Sequence, residues 1–197
     1  MEQNSIINFN EPLVPRYPKI QTNLVYAFKD GHPLTLNLIT PPVLPNVKAH
    51  FPLLIYVPDV DEHNMVKIDE RFAQMLEIAK RGYAVALISY RTNTDVTAMV
   101  KDIHSATRFL LDHAFKYKLD PYRYLLFGEG LGGYLSSLSI LDQGQQRAND
   151  EDVRRSPLRY KGCLLLETSL TPHPFSGPFL SELLLQNTQK LPPLLIL

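Results

Sequence analysis

The sequence lacks several features that would place it in a particular class of protein. Cys163 is the single cysteine among 197 residues, so no disulfide can form within the chain, which fits a reducing, cytoplasmic compartment. Lys plus Arg and Asp plus Glu number 20 each, so no net charge favours nucleic acid or an anionic membrane as partner. No apolar run reaches the ~18 residues of a membrane span. Residues 1–20 lack the basic and apolar regions of a signal peptide.

What is present is an ordinary globular composition, with 45% hydrophobic and 20% charged residues. A chain of this length can bury the core of one domain. We therefore expect residues 1–21 to form an irregular arm, interrupted by prolines, and residues 22–197 to form a single domain.

Short apolar runs alternate with segments of helical spacing along this domain. The predicted strands are 23–28 and 34–39 (a hairpin around Asp30 and Gly31), 51–57, 83–90, 122–127, 161–166 and 194–197. The predicted helices are 68–81, 95–117, 134–141 and 178–186, with a turn at Asp120-Pro121 and a polar loop at 142–156. This order favours right-handed crossovers between parallel strands. The expected fold class is α/β, with a mostly parallel sheet and helices on both faces.

A glycine-rich turn follows the predicted strand 122–127, in the stretch Gly128-Glu129-Gly130-Leu131-Gly132-Gly133. Its spacing matches the G-x-G-x-x-G loop that binds a dinucleotide pyrophosphate at a helix N-terminus. It also matches a G-x-S-x-G nucleophile elbow, except at the serine position. The dinucleotide interpretation fits less well, because several strands precede the turn. Asp150 and Glu151, which have about the spacing of a ribose ligand, lie in the predicted loop. We expect no cofactor.

Five segments in the same order resemble the α/β-hydrolase superfamily, specifically its carboxylesterase and lipase-like branch. They are residues 81–85, 89–91, 102–110, 119–123 and 128–133. The resemblance covers about residues 22–197 and implies an α/β-hydrolase fold. It also implies that Gly128, Gly132 and Gly133 are the small elbow residues that let strand and helix approach closely.

The centre of the elbow departs from the family pattern, because Gly130 stands where the resemblance places the nucleophilic serine. Glycine tolerates the positive φ of an elbow but offers no oxygen to activate. Glu129 is not expected to replace the serine, since its side chain leaves the turn in another direction. No catalytic residue is therefore assigned.

The oxyanion site also departs from the pattern. Pro58, directly after the strand 51–57, has no N–H, and the acidic residues of the following loop would repel a developing oxyanion. These residues are Asp59, Asp61 and Glu62. The N–H of Leu131, after the elbow centre, is the remaining candidate donor.

The resemblance places the catalytic acid after the strand 194–197 and the histidine after one more strand, so we expect a C-terminally truncated hydrolase without either. The expected function is that of an esterase- or lipase-like protein without serine-hydrolase activity. The alternative is a non-catalytic module that binds a small ester-like ligand or a protein partner, and a dinucleotide-binding oxidoreductase ranks last. The apolar strand 194–197 predicts an exposed sheet edge that favours a protein partner or a homodimer.

The remaining candidate residues favour structural roles. The six histidines do not have the spacing of metal ligands. They are at positions 32, 50, 63, 104, 113 and 173. His63 with the neighbouring acids would form at most a weak cation site, and a solvated loop is the preferred interpretation. Cys163 lies in an apolar strand, so we expect a packed thiol. We predict no metal site.

Overall fold

The protein is represented by a computed structural model that describes residues 17–43, 48–143, 148, 156–169 and 192–196. Its strands are β1 (Lys19–Lys29), β2 (His32–Thr40), β3 (Phe51–Val57), β4 (Ala84–Ile88), β5 (Leu119–Glu129), β6 (Cys163–Leu166) and β7 (Leu194–Ile196). Its helices are α1 (Phe72–Lys80), α2 (Val96–Asp112), α3 (Ala114–Tyr117) and α4 (Leu131–Asp142). The predicted helix 178–186, most of the arm 1–21 and most of the loop 142–156 lie outside the described residues.

The described strands form one sheet in the order β1-β2-β4-β3-β5-β6-β7. β1 pairs antiparallel with β2, and β2 pairs antiparallel with β4. All other pairs are parallel. The predicted hairpin is confirmed, with Asp30 and Gly31 both at positive φ in its turn. The mostly parallel sheet of the expected fold class is likewise confirmed.

The central strand β3 is buried on both faces, because side chains along a strand alternate between the two sides of a sheet. Leu53, Ile55 and Val57 join the core cluster that contains the buried residues of α2 and α4. Leu54 and Tyr56 join the cluster that contains the buried residues of α1. Helices therefore cover both faces, as the sequence predicts.

Helix α1 begins at Phe72, four residues after the predicted start at 68, so the predicted boundary is wrong. The preceding residues form turns instead. The N–H of Ile68 donates to the carbonyl of Val66 at 2.9 Å, and the N–H of Phe72 donates to the carbonyl of Asp69 at 3.2 Å. Local turn bonds thus delay the helix to the point where Met75 N–H can reach the Arg71 carbonyl.

The predicted helix 95–117 is two helices. Asp95 caps α2 as expected, because its Oδ1 accepts the N–H of Ala98 at 3.0 Å. The helix ends at Asp112, and α3 follows after His113 and stops at Lys118, which has a φ of 56°. Among the described residues, no helix is both long and apolar enough to cross a membrane.

Strand β5 begins at Leu119, so the turn expected at Asp120-Pro121 is absorbed into the strand. The β3–β5 register shifts there, since Phe51 pairs with Leu119 and Leu53 with Tyr124. Helix α4 begins at Leu131, three residues earlier than the predicted start at 134. The longer β5 and α4 bring strand and helix together directly at Gly130.

Strand β7 pairs in parallel with β6 and is the last strand of the described sheet. Its side chains are exposed by 44% at Leu194, 52% at Leu195 and 58% at Ile196. An apolar sheet edge is therefore open to solvent, as the sequence predicts for this strand.

Candidate functional site

The glycine-rich turn joins the carboxyl end of β5 to the amino end of α4. Gly130 occupies its centre with φ 52° and ψ −120°, a conformation that costs glycine little and other residues more. Its N–H donates to the carbonyl of Leu166 on β6 at 3.1 Å, and its carbonyl accepts the N–H of Gly133 at 3.1 Å. The turn thus has the strand–turn–helix geometry of an elbow, with no side chain at its centre.

The other three glycines stand where a Cβ would overlap neighbouring atoms, which belong to the backbone at Gly128 and Gly132 and to a side chain at Gly133. A Cβ on Gly132 would overlap the carbonyl oxygens of Val57 and Pro58 at the end of β3. A Cβ on Gly128 would overlap Gly133, and a Cβ on Gly133 would overlap the side chain of Thr168. The structure therefore places these glycines where the start of α4 meets β3, β5 and the end of β6.

The carboxylate of Asp59 fills the space beside Gly130. A Cβ on Gly130 would overlap all three atoms of that carboxyl group. Asp59 Oδ1 also accepts the N–H of Leu131 at 2.8 Å. The candidate oxyanion donor is therefore engaged by a carboxylate of the same chain, which adds negative charge where an oxyanion would develop.

The loop 58–67 that carries Asp59 is held by its own hydrogen bonds. Asp61 Oδ1 accepts the N–H of His63 at 2.9 Å and of Met65 at 2.7 Å, and the Met65 bond is the chief cause that lowers the pKa of Asp61. Val60 and Val66 form an antiparallel bridge that closes the loop. These hydrogen bonds and the bridge order the loop around His63.

Two contacts anchor the ends of this loop near the turn. Tyr90 donates its hydroxyl to the carbonyl of Pro58 at 2.8 Å, and the N–H of Lys67 donates to the carbonyl of Asp59 at 2.9 Å. The backbone of Asp59 is therefore fixed on both sides, so its carboxylate is held against Leu131 by the loop as well as by its own hydrogen bond.

Glu129, directly before the turn centre, is a buried carboxylate with different partners from those of Asp59. The guanidinium of Arg71 donates to both of its oxygens, with an Nε to Oε2 distance of 2.7 Å. Tyr56 donates its hydroxyl to the same Oε2. The Arg71 guanidinium is the main cause that holds the pKa of Glu129 below its usual range. The side chain of Glu129 thus leaves the turn towards α1 and β3.

Sequence reasoning identified the glycines and Leu131 but missed the partners that surround them. It treated Asp59 as one of several repelling charges, whereas the structure distinguishes this residue from Asp61 and from Glu62, which is exposed. It did not pair Arg71 with Glu129. Only the burial of an acidic residue beside the turn could have signalled that a distant cation was needed.

The same geometry opposes the dinucleotide interpretation. A pyrophosphate would have to sit on the N-terminus of α4, where the Asp59 carboxylate accepts the N–H of Leu131. A second anion at this place would be repelled. Asp150 and Glu151 lie outside the described residues.

The remaining candidates occupy structural positions. Nδ1 of buried His104 lies 2.9 Å from the carbonyl oxygen of Ala148, and Nδ1 of His113 lies 2.8 Å from that of Phe109. Burial raises the pKa of Cys163 to about 12, as expected of a packed thiol. No group of three or more His, Cys, Asp or Glu side chains with the arrangement of a metal site occurs in the part of the chain that the structure describes.

Comparison with protein families and curated proteins places the site in context. Residues 43–161 match the BD-FAE family. A 78-residue segment is 30% identical to a probable isoprenylcysteine alpha-carbonyl methylesterase from Arabidopsis thaliana. That match covers 39% of this chain and 16% of the plant protein, so the chain spans only a small part of this relative.

Solved structures of esterases share the fold at low sequence identity. Esterase 2 of Thermogutta terrifontis, phosphorylated by paraoxon, superposes with a TM-score of 0.71 at 18% identity over 94% of this chain and 71% of that chain. Esterase B of Lactobacillus rhamnosis, inhibited by a tributyrin phosphonate, superposes with a TM-score of 0.68 at 20% identity over 94% and 66%.

Proposed function

The chain belongs to the BD-FAE family and has the α/β-hydrolase fold of carboxylesterase-like proteins, and on this premise we propose that it lacks serine-hydrolase activity at its glycine turn. The turn would then be an elbow that has the backbone geometry of a hydrolase site but lacks the nucleophile that attacks an ester.

The position of the Asp59 carboxylate is the observation that carries this proposal. It overlaps the place of a Cβ at Gly130 and accepts the N–H of Leu131 at 2.8 Å. An ester carbonyl would have to displace this carboxylate to reach the N–H, and the intermediate's oxyanion would then face its negative charge.

Among the described residues, the first two serines that follow the turn on α4 are not positioned to act as the nucleophile. Ser136 is fully buried and donates to the carbonyl of Gly132 at 2.7 Å, while Ser137 donates to that of Gly133 at 3.0 Å. Both hydroxyls are committed to the backbone of α4. Loss of a nucleophile costs on the order of 10⁶ in kcat even where the oxyanion donors remain. Here the Leu131 donor is engaged as well.

Labelling with a fluorophosphonate probe tests the proposal. We expect no saturable covalent labelling of the purified chain, because Gly130 offers no oxygen to phosphonylate. A serine esterase of similar size, treated in parallel, verifies the probe. Saturable labelling at any serine of this chain would show that an active nucleophile exists, and the proposal would be wrong.

A pair of variants separates the missing serine from the obstructing carboxylate. Gly130→Ser alone is expected to leave 4-nitrophenyl acetate unhydrolysed, because the new side chain would overlap the Asp59 carboxylate and could not take the elbow position. Gly130→Ser with Asp59→Gly removes that obstruction, and Gly130→Ser with Asp61→Gly is the matched control in the same loop. Hydrolysis by the single variant would contradict the role given to Asp59.

The second candidate function is non-catalytic binding on the hydrolase fold. The exposed side chains of β7 favour a protein partner or a second copy of this chain at that sheet edge. A small ester-like ligand at the turn would have to compete with Asp59 for Leu131. We also propose a cytoplasmic location, on the ground of the single cysteine. Cell fractionation with an antibody to the chain tests the location.

A further inference from the structure

A second concave site lies at the end of the sheet opposite the glycine-rich turn. Tyr124, near the start of β5, and Lys161, just before β6, line a cleft of about 720 Å³. Tyr124 precedes Gly130 by six residues along an extended strand, which puts the cleft roughly 20 Å from the turn. The cleft is therefore separate from the hydrolase-like site.

Three cations line this cleft, against one acidic residue, Asp112, among the described residues that line it. Arg108 is only 6% exposed and donates from Nη1 to the carbonyl of Ser156 at 3.2 Å, so its guanidinium is fixed in the wall. Arg159 and Lys161 are exposed, and neither forms an ion pair with any residue that the structure describes. The described residues of the lining thus include more cations than anions.

The rest of the lining is apolar or aromatic. Leu111, Pro121 and Leu158 contribute aliphatic surface, and the ring of Tyr122 is 78% exposed at the rim. The exposed ring of Tyr122 beside the exposed guanidinium of Arg159 suits a flat apolar body, which stacks on both. A few fixed charges in a mainly apolar lining are the usual anatomy of a small-molecule site.

The buried hydroxyl of Tyr124 is affected by the positive charges of this cleft. Its buried hydroxyl accepts the N–H of Arg159 at 2.6 Å. Burial raises the pKa of Tyr124, while the charges of Arg108 and Arg159 act in the opposite direction. Both guanidinium groups are therefore close enough to act on the floor of the cleft.

We propose that this cleft binds a small organic anion, in which a phosphate or carboxylate meets the exposed cations Arg159 and Lys161 and an aromatic body packs on Tyr122. Arginine pairs with the planar or tetrahedral oxygens of such groups through two N–H donors at once. The site involves no chemistry at Gly130 and is independent of whether the turn is active.

Titration calorimetry of the full chain with 1-naphthyl phosphate tests the proposal. We expect saturable binding at one site. Inorganic phosphate, which lacks the aromatic body, and 1-naphthol, which lacks the charge, should each bind about tenfold more weakly or worse. Equal binding of 1-naphthol, or no saturable binding of 1-naphthyl phosphate, would overturn it.

Variants of exposed residues keep the test independent of folding. Arg159→Gln and Lys161→Gln should each weaken binding about three- to tenfold, and the double variant more than either. Lys116→Gln, an exposed cation on α3 that does not line this cleft, is the matched control and should leave binding unchanged. Unchanged melting temperatures show that the variants fold. Unchanged affinity in the double variant would mean that the anion binds elsewhere.

Discussion

The glycine-rich turn and the β7 edge belong to one sheet but differ in how their exposed groups are satisfied. The polar groups at the turn have partners within the chain, whereas the apolar side chains of β7 are open to solvent. At the turn, Asp59 accepts the N–H of Leu131, and Arg71 and Tyr56 satisfy Glu129. At β7, three apolar side chains stay exposed on the last described strand. The turn is complete within the chain, whereas the edge presents the surface that proteins usually cover.

This difference indicates where to look for each property of the protein. A region whose charges are already paired gains little binding energy from a ligand. Substitutions at the turn should therefore mainly change the free energy of unfolding. An exposed apolar edge contributes little to the stability of a monomer, so changes there should be felt mainly in association.

Gly132→Ala should have the largest effect. The added Cβ would overlap backbone carbonyl oxygens of Val57 and Pro58, which cannot move aside as a side chain can. We expect a loss of about 3 kcal/mol of unfolding free energy, measured by urea denaturation. Gly31→Ala is the control, since its Cβ would meet nothing within 4 Å and only the positive φ costs, about 1 kcal/mol. Equal losses in the two variants would disprove the close approach at Gly132.

Glu129→Gln should rank second, with a loss of about 2 kcal/mol at pH 7, because Arg71 loses its charged partner in a mostly buried place. The folded-state pKa of Glu129 is depressed, so its contribution is present above the unfolded glutamate pKa of about 4.3 and is lost as pH falls below it. The difference in unfolding free energy between wild type and variant should therefore become smaller as the pH is lowered. Glu77→Gln, in an exposed pair with Lys80, should cost little at any pH. A difference in unfolding free energy that does not change with pH would contradict the role given to the Glu129–Arg71 pair.

Asp59→Ala should cost about 1 kcal/mol, since one charge-assisted hydrogen bond is lost at a half-buried site. It should also free the N–H of Leu131. Addition of acetate is then expected to shift the Leu131 amide signal in NMR spectra of the variant and not of the wild type. Asp61→Ala, in the same loop but without contact to the turn, should leave the Leu131 signal insensitive to acetate. A wild-type signal that shifts with acetate would show that Asp59 does not occupy the site.

Ile196→Lys should have the smallest effect on stability, because the side chain is already 58% exposed. It should shift the chain towards monomer in light scattering at micromolar concentration, since a charge on an edge strand opposes edge-to-edge pairing. Phe28→Lys is the matched control, an exposed apolar residue on β1 at the opposite edge. A wild-type chain that is already a monodisperse monomer would disprove association through β7.

The sequence predicted the fold better than the boundaries of its elements. The short apolar run 51–57, which Pro58 ends, indicated a buried strand, and the structure has β3 there. Turns made by local hydrogen bonds do not appear in a hydrophobic pattern, so the delayed start of α1 was missed. The same is true of the break between α2 and α3, where His113 binds the carbonyl of Phe109.

At the site, the sequence predicted the position of the backbone turn but not the side-chain contacts around it. The resemblance of residues 128–133 to a nucleophile elbow implied a turn at Gly130 with small residues around it. The contacts of Asp59 with Leu131 and of Arg71 with Glu129 join residues 72 and 58 positions apart. Such pairings depend on how the loop after β3 lies over the end of β5, which a single sequence does not encode in any local pattern.

The overlap of Asp59 with a Cβ at position 130 has a consequence for how this family can vary. The two side chains compete for one volume, so a homologue with serine at 130 needs a different residue or a different loop at 59. Across related sequences the two positions should therefore covary, with an acidic residue at 59 accompanied by glycine at 130. A lineage that acquires a serine at 130 must first change residue 59, because the reverse order passes through a protein with two groups in the same space.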